Sequence, residues 1–162
     1  RICSKTSFPV IVKETGCGID GGTAKRLLEA GVSGLDVAGA GGTSFTKVEC
    51  YRGAQTSNAL CEWGIPTAES LRQCKEAVNL PLIASGGIRN GVDCAKAIGM
   101  GASMVGFGLP LLKAANTSSL EVVRYLTLMG EELKKVMLLV GAKTVDQLKR
   151  VEMQSRPYQP NS

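Results

Sequence analysis

The chain contains no histidine. Within its 162 residues that excludes a Ser-His-Asp triad, a Cys-His dyad and a His-ligated zinc site. Any acid–base chemistry must come from carboxylates, lysine, cysteine, tyrosine or a cofactor. Aromatic residues are scarce, with three Phe, three Tyr and one Trp. That is too few for a stacking platform on single-stranded nucleic acid. No apolar run reaches the ~18 residues of a membrane span, and no charged, apolar and small-residue leader is visible. The net charge of +5 is dispersed, with no run of Lys or Arg longer than two. Such a charge suits a phosphate-bearing small ligand rather than nucleic acid or a membrane.

Ordered cysteine motifs are also missing. Cys3, Cys17, Cys50, Cys61, Cys74 and Cys94 are separated by 14, 33, 11, 13 and 20 residues, with no CxxC. This is neither a zinc framework nor a redox motif. The expectation is six free thiols in a reducing cytoplasm, with Cys74 and Cys94 serving as small core residues.

Glycine is plentiful, at 20 residues, against about 7% in average proteins. It clusters beside short apolar runs. Four runs read as buried parallel strands: Phe8–Val12, Gly34–Ala38, Leu80–Ala84 and Ser103–Phe107. Helical spacing lies between them, over Gly22–Ala30, Thr67–Val78 and Val92–Met100. A longer amphipathic helix spans Ser119 to about Val140, its apolar face reading as core or subunit interface, and Thr144 then caps a short one over Val145–Lys149. The alternation argues for βαβ units and a parallel sheet. The connection from Gly39 to Pro66 is long, with a helix near Thr46–Arg52, and a loop of that length reads as functional or disordered. Residues 151–162 read as a polar, proline-broken, frayed tail.

Two glycine turns follow successive strands: Ala84-Ser-Gly-Gly-Ile-Arg-Asn-Gly91 and Gly106-Phe-Gly-Leu-Pro110. Glycines let backbone amides approach an anion, and a following helix adds its positive end. Such a pair suits a barrel phosphate site, although each turn alone could be only a tight βα connection. Lys13 follows a strand directly; it could be a surface charge, a Schiff-base amine or a cation beside a cofactor ring. Gly39-Ala-Gly-Gly-Thr43 is a third glycine turn, and Asp36 lies inside a strand with no evident partner.

Four segments together resemble a known family. They are Pro9-Val-Ile-Val-Lys-Glu-Thr-Gly16, Asp36-Val-Ala-Gly-Ala-Gly-Gly-Thr43, Trp63-Gly-Ile-Pro-Thr67 and Ala84-Ser-Gly-Gly-Ile-Arg-Asn-Gly-Val-Asp-Cys-Ala-Lys-Ala97. In this order they resemble type 2 isopentenyl-diphosphate delta-isomerase, over about residues 8–150. The resemblance implies a TIM (β/α)8-barrel, of which residues 1–150 form the C-terminal half, strands five to eight, with a C-terminal helical extension. It implies FMN as cofactor, NAD(P)H as reductant and Mg²⁺ with its ligand in the N-terminal half and none here. The implied substrate is a small diphosphate: isopentenyl diphosphate becomes dimethylallyl diphosphate, with reduced FMN as the acid/base. The implied flavin contacts are Lys13, Ala38, Thr43, Gly87, Ile88, Arg89, Gly108 and Leu109, with Lys13 stabilising the reduced ring. Ala38 stands where some members carry serine, and Phe45 where many carry Trp.

The partners implied are the remaining half of the barrel and further copies of the chain. A chain starting at Arg1 and matching half a barrel reads as a fragment or half of a split protein, doubtful as an enzyme alone. A different FMN barrel oxidoreductase, or a non-catalytic phosphate-binding half barrel, is the alternative. Hydroxy-acid enzymes of that kind carry a catalytic histidine and a GRQ-like turn, where this chain has Ala38-Gly-Ala-Gly-Gly-Thr43.

Overall fold

A computed structural model describes residues 2–53 and 58–154. Four parallel strands lie in sequential order: β1 (Ile11–Lys13), β2 (Gly34–Asp36), β3 (Leu82–Ser85) and β4 (Met104–Gly106). Helices α1 (Gly21–Glu29), α4 (Thr67–Ala77) and α5 (Gly91–Gly99) form the connections. Two short helices, α2 (Phe45–Tyr51) and α3 (Asn58–Cys61), interrupt the β2–α4 link. After β4 come α6 (Leu109–Thr117), α7 (Ser119–Leu139) and α8 (Val145–Leu148). This is the alternating βα arrangement expected of part of an α/β barrel.

Side-chain alternation divides the sheet. Leu35, Val37, Leu82 and Ala84 are buried, and they pack in one core with Ala24, Leu71 and Cys74 of the helices. The opposite face is open at its edges, where Ile11 is 52% and Met104 57% exposed. β1 starts later than its apolar run. Phe8 is exposed, Pro9 has no N–H to donate, and pairing begins where Ser33 donates to Val10.

Helix ends follow local chemistry. Asp20 caps α1 by accepting from Thr23, and Thr144 caps α8 by accepting from Gln147. Hydrogen bonds five residues back, Val32 to Leu27, Ala102 to Ala97 and Ala142 to Met137, close α1, α5 and α7. Each closure turns on a glycine with positive φ: Gly31, Gly101 or Gly141. On α7, Met129 is buried and Leu133, Val136 and Met137 pack inward, but Val123 and Leu126, and Val140 at its C-terminal cap, are exposed.

One expectation needs correction. Cys50 and Cys61 are not free thiols: they form a disulfide, with Cα atoms 5.9 Å apart. The fold back from α2 to α3 brings them together, and a spacing of 11 residues does not announce that. Cys3, Cys17, Cys74 and Cys94 are free. Val151 packs against the cluster of Ala95, Ile98, Ala142 and Leu148. Residues 155–162 lie outside the described residues. Among those described, no helix is long and apolar enough to cross a membrane.

Candidate functional site

All four strands deliver their last residue to one place. Lys13, Asp36, Ser85 and Gly106 end β1 to β4, and all line a single cleft of about 830 Å³. Parallel strands must do this, since their C-terminal ends and the loops that follow lie on the same edge.

A charged network forms the floor. The register places Lys13 opposite Asp36 and Asp36 opposite Ile83, so Ser85 is one pleat further along that same face. Lys13 Nζ donates to Asp36 Oδ2 at 2.9 Å and to Ser85 Oγ at 3.1 Å. Ser85 Oγ donates to Asp36 Oδ1, which also accepts from the Ala38 amide at 3.3 Å. The carboxylate is buried, and every one of these donors offsets its desolvation. Ala38 turns sharply to present its amide, and its φ is +35°.

The loops above the floor press backbone against backbone. Gly86 has a φ of +96°, and a Cβ there would lie 2.1 Å from the Gly39 carbonyl oxygen. Gly87 has a φ of +79°, and its Cβ would lie 2.6 Å from the Gly41 carbonyl oxygen. These glycines therefore let the β2 and β3 loops touch, in addition to any role toward a ligand. Arg89 ties the same loops, donating through Nη2 to the Gly41 carbonyl at 2.9 Å. On the β1 side, one oxygen of Glu14 accepts from the amides of Gly16, Cys17 and Gly18 and so fixes the turn that borders the cleft.

Backbone donors remain at the far end. The amides of Gly87, Ile88, Gly108 and Leu109 meet no protein acceptor among the described residues. No side chain caps α6, which starts with Pro at its first turn. Helix α5 differs: Asn90 caps it, and Asp93 takes the Arg89 amide at 3.1 Å. Of the two helices that follow the glycine turns, α6 is thus the one without a side-chain cap. A Cβ at Gly108 would meet nothing within 4 Å, so the cleft is open there. Tyr125 of α7 donates its hydroxyl to the Arg89 carbonyl at 2.9 Å and stands beside the Phe107 ring. Free amides, one helix N-terminus and a guanidinium suit a phosphate dianion. A cleft of this volume suits a cofactor-sized molecule. The residues present therefore fit FMN. Among the described residues no cluster of three potential metal ligands occurs.

Lys13, Ala38, Thr43, Gly87, Ile88, Arg89, Gly108 and Leu109, assigned from resemblance, all border this cleft. Sequence reasoning missed Ser85 and Tyr125 as lining residues and left Asp36 without a partner. The equal strand-end positions of Lys13, Asp36 and Ser85 carried that signal. Tyr125 sits in a helix far along the chain, and no motif marks it.

Comparison with known proteins agrees with this architecture. The model of the FMN-dependent dehydrogenase family matches residues 1–155. The isopentenyl-diphosphate delta-isomerase of Methanothermobacter thermautotrophicus is 48% identical over 151 residues, covering 92% of this chain and 43% of that protein. That of Xanthobacter autotrophicus is 46% identical, covering 94% of this chain and 46% of that protein. The chain thus spans less than half the length of these relatives. Among solved structures, a mandelate oxidase with (S)-mandelic acid superposes with a TM-score of 0.72 at 26% identity, covering 96% of this chain and 42% of that one. A mandelate oxidase variant with an FMN adduct gives 0.69 at 27% identity, covering 92% of this chain and 42% of that one. With its site at the ends of parallel strands and a family match over nearly its whole length, the chain belongs to the FMN-dependent dehydrogenase family.

Proposed function

We infer that this chain supplies the FMN-phosphate-binding half of an isopentenyl-diphosphate delta-isomerase. The observation that carries this reading is the meeting of all eight resemblance-assigned residues at one cleft, in a chain 46–48% identical to two such isomerases. The free amides of Gly87, Ile88, Gly108 and Leu109 and the Arg89 guanidinium would hold the phosphate. Thr43 and Ala38 would border the flavin, and Lys13 would face its ring. Held there in reduced form, FMN would supply the acid/base chemistry for converting isopentenyl diphosphate to dimethylallyl diphosphate. NAD(P)H as reductant, and Mg²⁺ on the substrate diphosphate with ligands outside these residues, complete the reading.

In this account residues 1–150 are strands five to eight of a (β/α)8 barrel. The rest of the barrel covers the open edges of β1 and β4. The assembled enzyme is cytoplasmic and self-associates. The hydroxy-acid oxidase reading is disfavoured by the resemblance itself, since Ala38-Gly-Ala-Gly-Gly-Thr43 stands where those enzymes carry a GRQ-like turn.

The test is a fusion of this chain to the N-terminal half of the Methanothermobacter relative, with FMN. The expected result is anaerobic, NAD(P)H-dependent formation of dimethylallyl diphosphate. A fusion that binds FMN but oxidises 2-hydroxy acids without isomerising would overturn the assignment.

A further inference from the structure

The Lys13 ammonium does not stand alone. It is shared between a buried carboxylate at 2.9 Å and a hydroxyl at 3.1 Å, and that hydroxyl is itself bonded to the same carboxylate. Three strands contribute one member each, so the sheet register sets the geometry of this triangle. Lysine has a long stem, and its side chain is 57% exposed. Without these anchors the amine would sample many positions in the cleft. A cation and an anion this close also present far less net charge to a third group than the cation alone.

We propose that Asp36 is a positioning residue that, with Ser85 as second anchor, fixes the Lys13 ammonium at the cleft floor and attenuates its charge toward the bound flavin. The flavin part rests on the proposed FMN reading. The anchoring part does not.

Two measurements separate them. In the ligand-free chain, acylation of each lysine is followed by mass spectrometry. The amine must leave its partners to react, so Asp36→Asn is expected to speed Lys13 by about fivefold relative to Lys47, the factor expected of one part-exposed ion pair. Ser85→Ala keeps the charge pair and is expected to give a smaller rise, about twofold, for one lost hydrogen bond. If Asp36→Asn fails to fold, Ser85→Ala decides the matter. An unchanged Lys13 rate in the folded variants overturns the proposal whether or not FMN binds.

The second readout is the ratio of dissociation constants for oxidised and reduced FMN. Removing the counter-charge favours the more anionic reduced form. The ratio is therefore expected to rise at least about threefold in Asp36→Asn and to fall in Lys13→Met. A merely structural role would weaken both forms alike and leave the ratio unchanged, which would contradict attenuation. Failure of the wild-type chain to bind either form would count against the FMN reading, and the acylation result would still decide the anchoring.

Discussion

At the scale of single residues, glycine has two different jobs in this molecule. Gly86 and Gly87 sit at positive φ with backbone of the neighbouring loop in the place of a Cβ. Gly86→Ala is expected to cost at least ~3 kcal/mol in urea unfolding, because left-handed strain and a backbone overlap add. Gly108 has ordinary φ and empty space around it, so Gly108→Ala should change stability by less than ~0.5 kcal/mol. The sequence made these three glycines look alike; only the meeting of two loops distinguishes them. Cysteines separate in the same way. Burial pushes the Cys74 thiol up to about 11 and raises Cys94 as well. A thiol reagent should label Cys3 and Cys17 in the native chain and leave Cys74 and Cys94 until it unfolds. The unfolded thiols lose protons near pH 9 that the folded ones keep. Stability to urea should therefore hold below that pH and fall as pH rises from 9 toward 11. A flat profile across that window would contradict the burial argument.

At the scale of elements, periodicity and punctuation were readable from the chain. The strands and most helices lie within a few residues of where apolar runs and glycines place them, because glycine stops and Asp, Asn or Thr caps act locally. Asp20→Ala is expected to cost ~1 kcal/mol, since it uncaps α1 at Thr23. Leu71→Ala, which empties a fully buried site between α4 and the sheet, should cost ~2–5 kcal/mol in the same assay. What local pattern could not supply was long-range pairing. The Cys50–Cys61 disulfide depends on how α2 and α3 fold back on each other. The partner of Asp36 depends on strand register, which a sequence of three-residue strands states only weakly. The cap on α5 was a subtler miss. The glycine turn before it suggested a free helix end, yet Asn90 fills that end, and the uncapped terminus belongs to α6.

For the whole molecule, the cleft follows from topology. Sequential parallel strands gather their C-terminal ends, and the residues at those ends become the site whatever the helices do behind them. Ile11 of β1 and Met104 of β4 are exposed on the open face of the sheet, and the chain spans less than half the length of the isomerase relatives it matches. Binding of the FMN phosphate by the two strand-end turns is tested by titrating the chain with FMN, followed by flavin fluorescence, beside Arg89→Ala. Saturable quenching at micromolar or weaker affinity is expected, reduced at least ~10-fold in the variant by loss of one charge-assisted contact. Equal affinity in the two folded proteins, or no binding by either, would contradict it.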